Sequence, residues 1–590
     1  MKRAADVPVA LLAASCLAFS LLSCAPRRPE SALRAAARDA APEIVGGVHR
    51  LGASWLAQEN AEENAEEKLL GASGILVGRF EGAPYDLGYA FGRLTRPWIR
   101  SQETHLVNLF KALVPGGFKR SLVRELSAFR LRGLPRAIPE DLLVAIAGLA
   151  DGYEPVPPPT GWNAYRRMLD LHALHDVSQR FVDAPALAAA CTGFLAKGAD
   201  GSLLLARNFD FEGGDIFDRQ KLVSVVVPPG RIPYLSVGFP GMLGVVSGFN
   251  REGIGVAIHA IAGGETAASG TPVTLLLADV LANESTWGGA VSRLRRARAF
   301  VSDMILLGDA KSGRFGVVEK SPSAFAVREA AGVSIAATNE AEDAAVKRSA
   351  RALPPGSTSR KRRARLDVLL ARAGGSLDVP SAIVILRDRK SADGSELGPG
   401  NRNAIDGMIA AHSVVFDLTH LTAWVSAAPH TLGPYVPVSL DAVLASPSGP
   451  PPRAAEPVPA DPWLLDGSWD RYVSARASLE TARRLERTRS PGWLDAAHRE
   501  AKRAHELSSE FAEATAKLGE LEARRGDRAR ALRLLDDALS HDPGPAPVRA
   551  AAQRWRDALA AGDRAPLPKE PIPTVPQPDD LLSEKRERDR

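Results

Sequence analysis

The sequence predicts an α+β chain, with sheets covered by helices over residues 69–445 and an all-α segment over 462–562. Three observations carry this expectation. From Cys191 onward, short apolar runs bounded by Gly, Pro, Asn and Asp follow one another closely, as strands and turns do. A few longer runs with apolar residues every three or four positions interrupt them and read as helices. Beyond a Pro-rich linker, residues 446–461, strand texture stops and helical texture takes over.

Composition allows this reading. The 590 residues suffice for two or more domains, and 45% hydrophobic with 24% charged residues is ordinary for a globular protein. A net charge of +5 over this length does not indicate a nucleic-acid partner.

Residues 1–23 stand apart from the fold. Lys2 and Arg3 precede an apolar run, Val7 to Leu22, that ends on Leu21-Leu22-Ser23-Cys24. A basic start and an apolar core too short to span a bilayer read as a secretion signal. The ending resembles a bacterial lipoprotein signal, in which the cysteine is lipidated and becomes the first residue, so Cys24 is the candidate lipid site. Cys16, after Ala-Ala-Ser, is the rival, and simple cleavage with release is the plainer alternative. Lipid on Cys24 implies a membrane-anchored protein of the cell envelope, periplasmic or on the outer-membrane face, because each buried methylene adds about 0.8 kcal/mol. Cys191 is then the remaining free thiol of the three cysteines, and no intrachain disulfide forms.

Residues 24–68, rich in Ala, Glu and Arg, read as a tether with some helix. GILVGRFEG reads as a strand and turn, and YDLGYAFGRLTRPWIRSQETHLVNLFKAL as an amphipathic helix. PEDLLVAIAGLADGYE and residues 164–177 add helices, completing a segment, 69–190, that precedes Cys191. CTGFLA and SLLLARNFDF flank Gly198-Ala-Asp-Gly201 as a hairpin. LVSVVVPPG, RIPYLSVGFPG and LGVVSGFNREGIGVAIHA continue as strands. TPVTLLLADVLANESTWGGAVSRLRRA reads as two helices, DMILLGDAKSGRFGVVEKS and AFAVREAAGVSIAATN as strands, and HSVVFDLTHLTAWVSAAP as a late hairpin. In the helical segment Leu518, Gly519, Ala531, Leu535, Ala538 and Pro543, with Ala497 and Ala504 in the preceding frame, match tetratricopeptide spacing. About two degenerate repeats are expected there. Residues 563–590, Pro-rich and then charged, read as a disordered tail.

The chemistry centres on Cys191. A buried cysteine is commonly only a small hydrophobe, but its neighbours point elsewhere. Arg207 and Asp210 fall at the end of the hairpin's second strand, which runs back beside the first, so both can approach one sulfur. A cation near a thiol favours the thiolate, which is the nucleophile. A carboxylate can hold a nearby ammonium. His172 and His175, in LDLHALHD, have a metal-like helical spacing, but no further ligand pattern accompanies them and packing or surface roles are the simpler reading. His259 ends the strand GIGVAIHA and is a candidate pocket residue. Asp309, in GDAKSG, is most simply a turn residue. No cofactor is expected: no phosphate-cradling Gly-rich motif stands between a strand and a helix.

Cys191-Thr192 opening one strand and Arg207-Asn208-Phe209-Asp210 closing the next resemble the cysteine N-terminal-nucleophile hydrolases. The likeness is to the autoproteolytic acyltransferase family that includes the penicillin acyltransferases, with bile-salt hydrolases and penicillin V acylases as more distant relatives. GMLGVVSGFNREGIGVAIHA, Thr338-Asn339, the Ser/Arg-rich helix start at Ser359 and the HSVVFD hairpin agree with it, and the resemblance spans about residues 71–440. It implies a four-layer αββα fold made as a precursor, with catalytic segment 191–445. It implies self-cleavage at Ala190–Cys191, after which the α-amino group of Cys191 serves as base; such an amine titrates at about 7.7–8.0. It assigns Asp210 to orient that amine, Arg207 to polarise the nucleophile's surroundings and Asn339 to donate to the oxyanion, with Thr192, Ser359 and Arg362 in the pocket. The substrate class implied is a small-molecule amide, cut at its linear C–N bond. Two positions depart from the pattern: Glu340 stands where acyltransferase relatives often have His, and Ala190 where the penicillin acyltransferase has Gly. Arg360, Arg363 and Arg365 compete with Arg362 for its position, and a solvated helix face is the plain alternative for all four. The competing function is a catalytically inactive scaffold, or a lipoprotein that binds a protein partner through its repeats; in a third reading the repeats are a stabilising cap.

Overall fold

The structure is a computed structural model that describes residues 28–29, 31, 41–45, 47–59, 75–114, 116–117, 120–121, 133–154, 163–176, 189–267, 269–353, 357–562, 565–575, 578–579 and 582. The expected signal, Cys16 and Cys24 lie outside these residues.

Two sheets organise the body. The larger has eleven strands in the order β1-β2-β3-β4-β7-β8-β9-β10-β11-β12-β13 and the smaller six in the order β14-β5-β6-β15-β16-β17. In chain order they are β1 (Glu43–Val45), β2 (Val48–Leu51), β3 (Ser54–Glu59), β4 (Ile75–Glu81), β5 (Ala189–Lys197), β6 (Leu203–Phe211), β7 (Leu222–Val227), β8 (Tyr234–Gly238), β9 (Ser247–Asn250), β10 (Ile254–Ala260), β11 (Asp303–Asp309), β12 (Arg314–Lys320), β13 (Phe325–Glu329), β14 (Ser334–Ala337), β15 (Ala410–Asp417), β16 (Thr422–Ser426) and β17 (Tyr435–Ser439). The expected hairpins 191–210 and 412–429 form as β5–β6 and β15–β16. Two readings are corrected. The stretch taken as a tether contributes β1–β3, which extend the large sheet beyond β4. The single helix read over residues 85–113 is two, broken at Thr95 where Pro97 opens the second.

The helices used below are α1 (Pro84–Leu94), α2 (Arg96–Leu113), α3 (Glu140–Tyr153), α4 (Ala164–His172), α5 (Val273–Asn283), α6 (Trp287–Arg296), α7 (Thr358–Ala373) and α8 (Val379–Leu386). Strand periodicity separates two faces. Leu195, Leu203 and Leu205 point from the small sheet into a core shared with Val223, Val225, Leu235, Ala257 and Leu306 of the large sheet. Phe194, Ala196, Leu204 and Ala206 point the other way, onto Leu366, Leu370, Ile383 and Leu386 of α7 and α8. The far face of the large sheet, through Val256, Ile258, Ile305 and Leu307, joins the core that α5 covers. Among the described residues no helix is long and apolar enough to cross a membrane.

Residues 468–560 are helical: α9 (Ser468–Thr488), α10 (Trp493–Leu507), α11 (Ala512–Arg525), α12 (Arg528–Ser540) and α13 (Ala546–Ala560). Ala497, Ala504, Leu518, Ala531, Leu535 and Ala538, the small and apolar positions of the repeat pattern, are all buried. These helices are docked on the body. Tyr472, Leu479 and Phe511 share a core with Met408 and Leu432. Asn401 Nδ2 donates to the carbonyls of His541 (3.0 Å) and Asp542 (3.1 Å). The expected disordered tail is corrected in part, because residues 565–575 are ordered and Ile572 is buried against Trp555 and Leu559.

Helices α1 and α3 cross at backbone contact. A Cβ on Gly88 would lie 1.9 Å from the Ala145 carbonyl oxygen, and one on Gly148 would lie 2.1 Å from that of Tyr85. Neither backbone can yield without parting the helices. Gly148→Ala should therefore destabilise the protein by about 1–3 kcal/mol, as overpacking does. Gly288→Ala, where nothing lies within 4 Å of the added Cβ, should change stability by less than about 0.5 kcal/mol. Thermal unfolding of the two variants beside the parent checks this.

Candidate active site

The β5–β6 register pairs Cys191 with Phe209, Gly193 with Arg207, and Ala190 with Asp210. Alternation sends Cys191, Arg207 and Phe209 to the inter-sheet face, and Thr192, Asn208 and Asp210 to the face under α7 and α8. The site is thus built on both sides of one hairpin. Gly193 leaves room for it: a Cβ there would lie 3.0 Å from Arg207 Cβ and 2.9 Å from Leu306 Cδ1.

On the inter-sheet face Arg207 Nη2 donates to Cys191 Sγ at 2.9 Å. Arg207 Nη1 donates to the Val246 carbonyl (3.0 Å) and to Ser247 Oγ (2.9 Å). The Ser247 hydroxyl also lies 2.9 Å from His412 Nε2. Phe209 stacks on His412 with ring centroids 5.1 Å apart and on the Arg207 guanidinium at 4.7 Å. His259 shares the inner face of β10 with Ala257. It is fully buried, and neither ring nitrogen has a hydrogen-bond partner among the described residues. Burial and the charges of Arg207 and Arg362 hold its pKa well below the ordinary histidine value, so it is neutral.

On the other face Asn339 and Arg362 bracket the backbone of Cys191. Asn339 Oδ1 accepts from the Cys191 N–H and from Arg362 Nη2, both at 2.9 Å. Arg362 Nη1 donates to the Cys191 carbonyl and to Thr192 Oγ1, both at 2.6 Å. Ser359, one helical turn before Arg362, accepts from the Asn339 N–H at 2.9 Å and lies 2.9 Å from Thr338 Oγ1. The competing arginines point elsewhere: Arg360 pairs with Glu340, Arg363 with Asp367, and Arg365 with Asp388. Asn339 Nδ2, the expected oxyanion donor, is engaged by the Ala260 carbonyl at 3.0 Å.

Charge behaves differently from the simple expectation. Burial pushes the Cys191 thiol up; Arg207 and Arg362 oppose this, Asp210 adds to it, and burial prevails. The neighbouring cation therefore does not by itself make a thiolate in the uncut chain. Asp210 is pushed up to about 7 by burial, against Arg362, Arg402 and Arg207, with Asp406 adding to the rise. Its Oδ1 is buried and has no hydrogen-bond partner among the described residues.

The other candidates are structural. His172 Nε2 accepts from the Leu243 N–H at 2.8 Å and its Nδ1 lies 2.7 Å from the Met168 carbonyl oxygen; burial pulls it down to about 4. His175 lies 3.1 Å from Asp303; burial lowers its pKa but the carboxylate outweighs it, leaving it raised. Asp309 accepts from the Lys311 N–H (3.0 Å) and Ser312 Oγ (2.7 Å), closing a turn. Among the described residues no group of three or more His, Cys, Asp or Glu could hold a metal ion. Ser247, His412 and Arg402 escaped the sequence reading. No local pattern marks them, since sheet order alone brings Ser247 and His412 to Arg207.

Residues 196–428 match the family model described as Acyl-coenzyme A:6-aminopenicillanic acid acyl-transferase, a match that begins just past Cys191. A protein of Archaeoglobus fulgidus described as uncharacterized is 26% identical over 280 residues, which cover 43% of this chain and 45% of that protein. The chain thus spans less than half the length of that relative. Among solved structures, a Caenorhabditis elegans ortholog of N-acylethanolamine-hydrolyzing acid amidase is 17% identical, covering 39% of this chain and 93% of that one at a TM-score of 0.30. A mutant conjugated bile acid hydrolase from Clostridium perfringens is 14% identical, covering 42% and 92%, also at 0.30. Over its central part the chain is similar to an acyltransferase family.

Proposed function

We propose that this chain is a cysteine N-terminal-nucleophile enzyme of αββα architecture that breaks or re-forms amide bonds, activated by scission of Ala190–Cys191. The observation that carries the reading is the Arg207 Nη2 to Cys191 Sγ contact, 2.9 Å, at a cysteine whose own N–H and carbonyl are gripped by Asn339 and Arg362. A thiol serving only as core filler has no need of two buried arginines.

In the activating step Cys191 Sγ attacks the Ala190 carbonyl carbon, the C–N bond to Cys191 breaks, and the nitrogen takes the thiol proton. Water then hydrolyses the thioester, leaving an Ala190 carboxylate, the free thiol and a new α-amine. In turnover that amine accepts the thiol proton and the thiolate attacks the substrate carbonyl. We assign the Asn339 side-chain amide to the developing oxyanion. The α-ammonium returns its proton to the leaving amine, and water or a second amine releases the acyl group. Asp210 pairs in register with Ala190, so its unpartnered oxygen suits the ammonium that scission creates. The substrate we infer is a small-molecule amide, and lipid on Cys24 would hold the enzyme at the cell envelope.

Incubation with an activated acyl ester should add one acyl group to the peptide beginning at Cys191, read by mass spectrometry. Cys191→Ala should abolish both labelling and turnover. Arg207→Ala should lower kcat/KM about 10²–10³-fold, the range for losing one preorganised donor. Labelling elsewhere, with Cys191 unmodified, would refute the reading.

Asp210 yields a pH prediction in a Cys191→Ala background, which keeps the chain uncut. Its folded pKa of about 7 lies above the unfolded value, so the folded chain binds the extra proton. Its contribution to stability is therefore lost as pH rises from about 4 through 7. Asp210→Asn removes that dependence, and should raise the unfolding temperature more at pH 8 than at pH 5.

A further inference from the structure

Residues 570–575, Glu-Pro-Ile-Pro-Thr-Val, lie extended along α11. The Ile572 N–H donates to Glu520 Oε2 at 2.7 Å and the Val575 N–H to Glu513 Oε2 at 3.1 Å. Trp555 Nε1 of α13 donates to the Glu570 carbonyl at 3.0 Å. The two spacings agree. Glu513 and Glu520 stand seven helical residues apart, about 10 Å, and three extended residues also span about 10 Å. The strand direction is opposite to the helix. Pro571 and Pro573 flank Ile572 and have no N–H, so the chain offers a donor where Glu520 accepts and none on either side of it. Ile572 is 1% exposed and fills a pocket made by Ala516, Trp555 and Leu559.

The groove is built to receive backbone. Glu520 is compensated by Lys517 and Arg524, each at 2.8 Å. Burial pushes Glu513 up to about 7, and the Val575 N–H opposes that rise. A buried carboxylate without a donor is costly; among the described residues Glu513 meets its donor in the Val575 N–H, and Glu520 adds the Ile572 N–H to its two cations. The same segment continues to the active-site body. Asp579 Oδ2 accepts from the Asp215 N–H at 2.8 Å. Pro578 lines a pocket with Phe211, Glu212, Ala410 and His430, where the chain leaves the strand that carries Asp210.

We propose that the face of α11 and α13 is a recognition site for an extended Pro-Ile-Pro-x-Val peptide, and that this chain fills it in cis with its own residues 570–575. The site holds its ligand by two carboxylate-to-backbone bonds and one isoleucine pocket. The occupied groove straps the helical segment to the loop following Asp210, and a partner can enter it only by displacing the strap. This inference is independent of the chemistry assigned to Cys191.

The test uses the full chain, a chain ending at residue 566, and a fluorescent synthetic peptide of residues 567–580. The shortened chain should bind the peptide saturably and the full chain should not. Ile572→Asp in the peptide, or Glu520→Gln in the shortened chain, should weaken binding at least tenfold. A shortened chain that is folded by circular dichroism yet binds no peptide would overturn the proposal, as would equal binding to both chains. Should the shortened chain fail to fold, hydrogen exchange on the full chain decides. Slow exchange of the Ile572 and Val575 amides, accelerated by Glu520→Gln, supports the strap; fast exchange in the unaltered chain overturns it.

Discussion

The buried guanidinium of Arg207 is the interaction on which the site depends. A charged side chain with no exposed surface costs several kcal/mol unless its donors are met. Among the described residues no carboxylate pairs with it. Its Nη1 and Nη2 donate to a sulfur, a carbonyl and a hydroxyl, Cys191 Sγ, Val246 and Ser247, while Nε has no hydrogen-bond partner among the described residues. Cys191 stands on β5 of the small sheet, and Val246 precedes and Ser247 opens β9 in the large sheet, so the sheets must pack in one register for the arginine to be tolerated. Phe209 and His412 close the space around it with apolar and neutral surface. The same burial that strengthens the contact with sulfur also raises the thiol. In the proposed mechanism a base beyond Arg207 is needed, and the α-amine that scission before Cys191 would release is the group assigned to it.

Much of this was legible in the chain itself, because it is local. Cys191, Arg207 and Asp210 belong to one hairpin, and a two-residue period tells which lie beside one another and which on opposite faces. Ser359 and Arg362 follow from the family resemblance, and one helical turn between them accounts for their facing the same site. The partners that hold Arg207 in place were not legible. Ser247 and His412 stand on strands of different sheets, and only sheet order brings them together. The strands at 43–59 were missed because VHRL and SWLAQE carry little of the apolar alternation of a half-buried strand. They persist by pairing onto β4.

The C-terminal region shows how composition can mislead. A stretch rich in proline and charge lacks the apolar area to fold alone, and that reasoning still holds for residues 570–575. They are ordered because a neighbouring helix buries Glu513 and Glu520, whose carboxylates accept their N–H groups, and because one isoleucine finds a pocket. The helical segment is in turn pinned to the body through residues 401–408, so its placement and that of the tail depend on each other.

The most direct test of the central claim is the intact mass of the purified protein. The account predicts two fragments, separated between Ala190 and Cys191, with the second beginning at a cysteine that bears a free α-amine. An active preparation in which Cys191 remains peptide-bonded on both sides would contradict it.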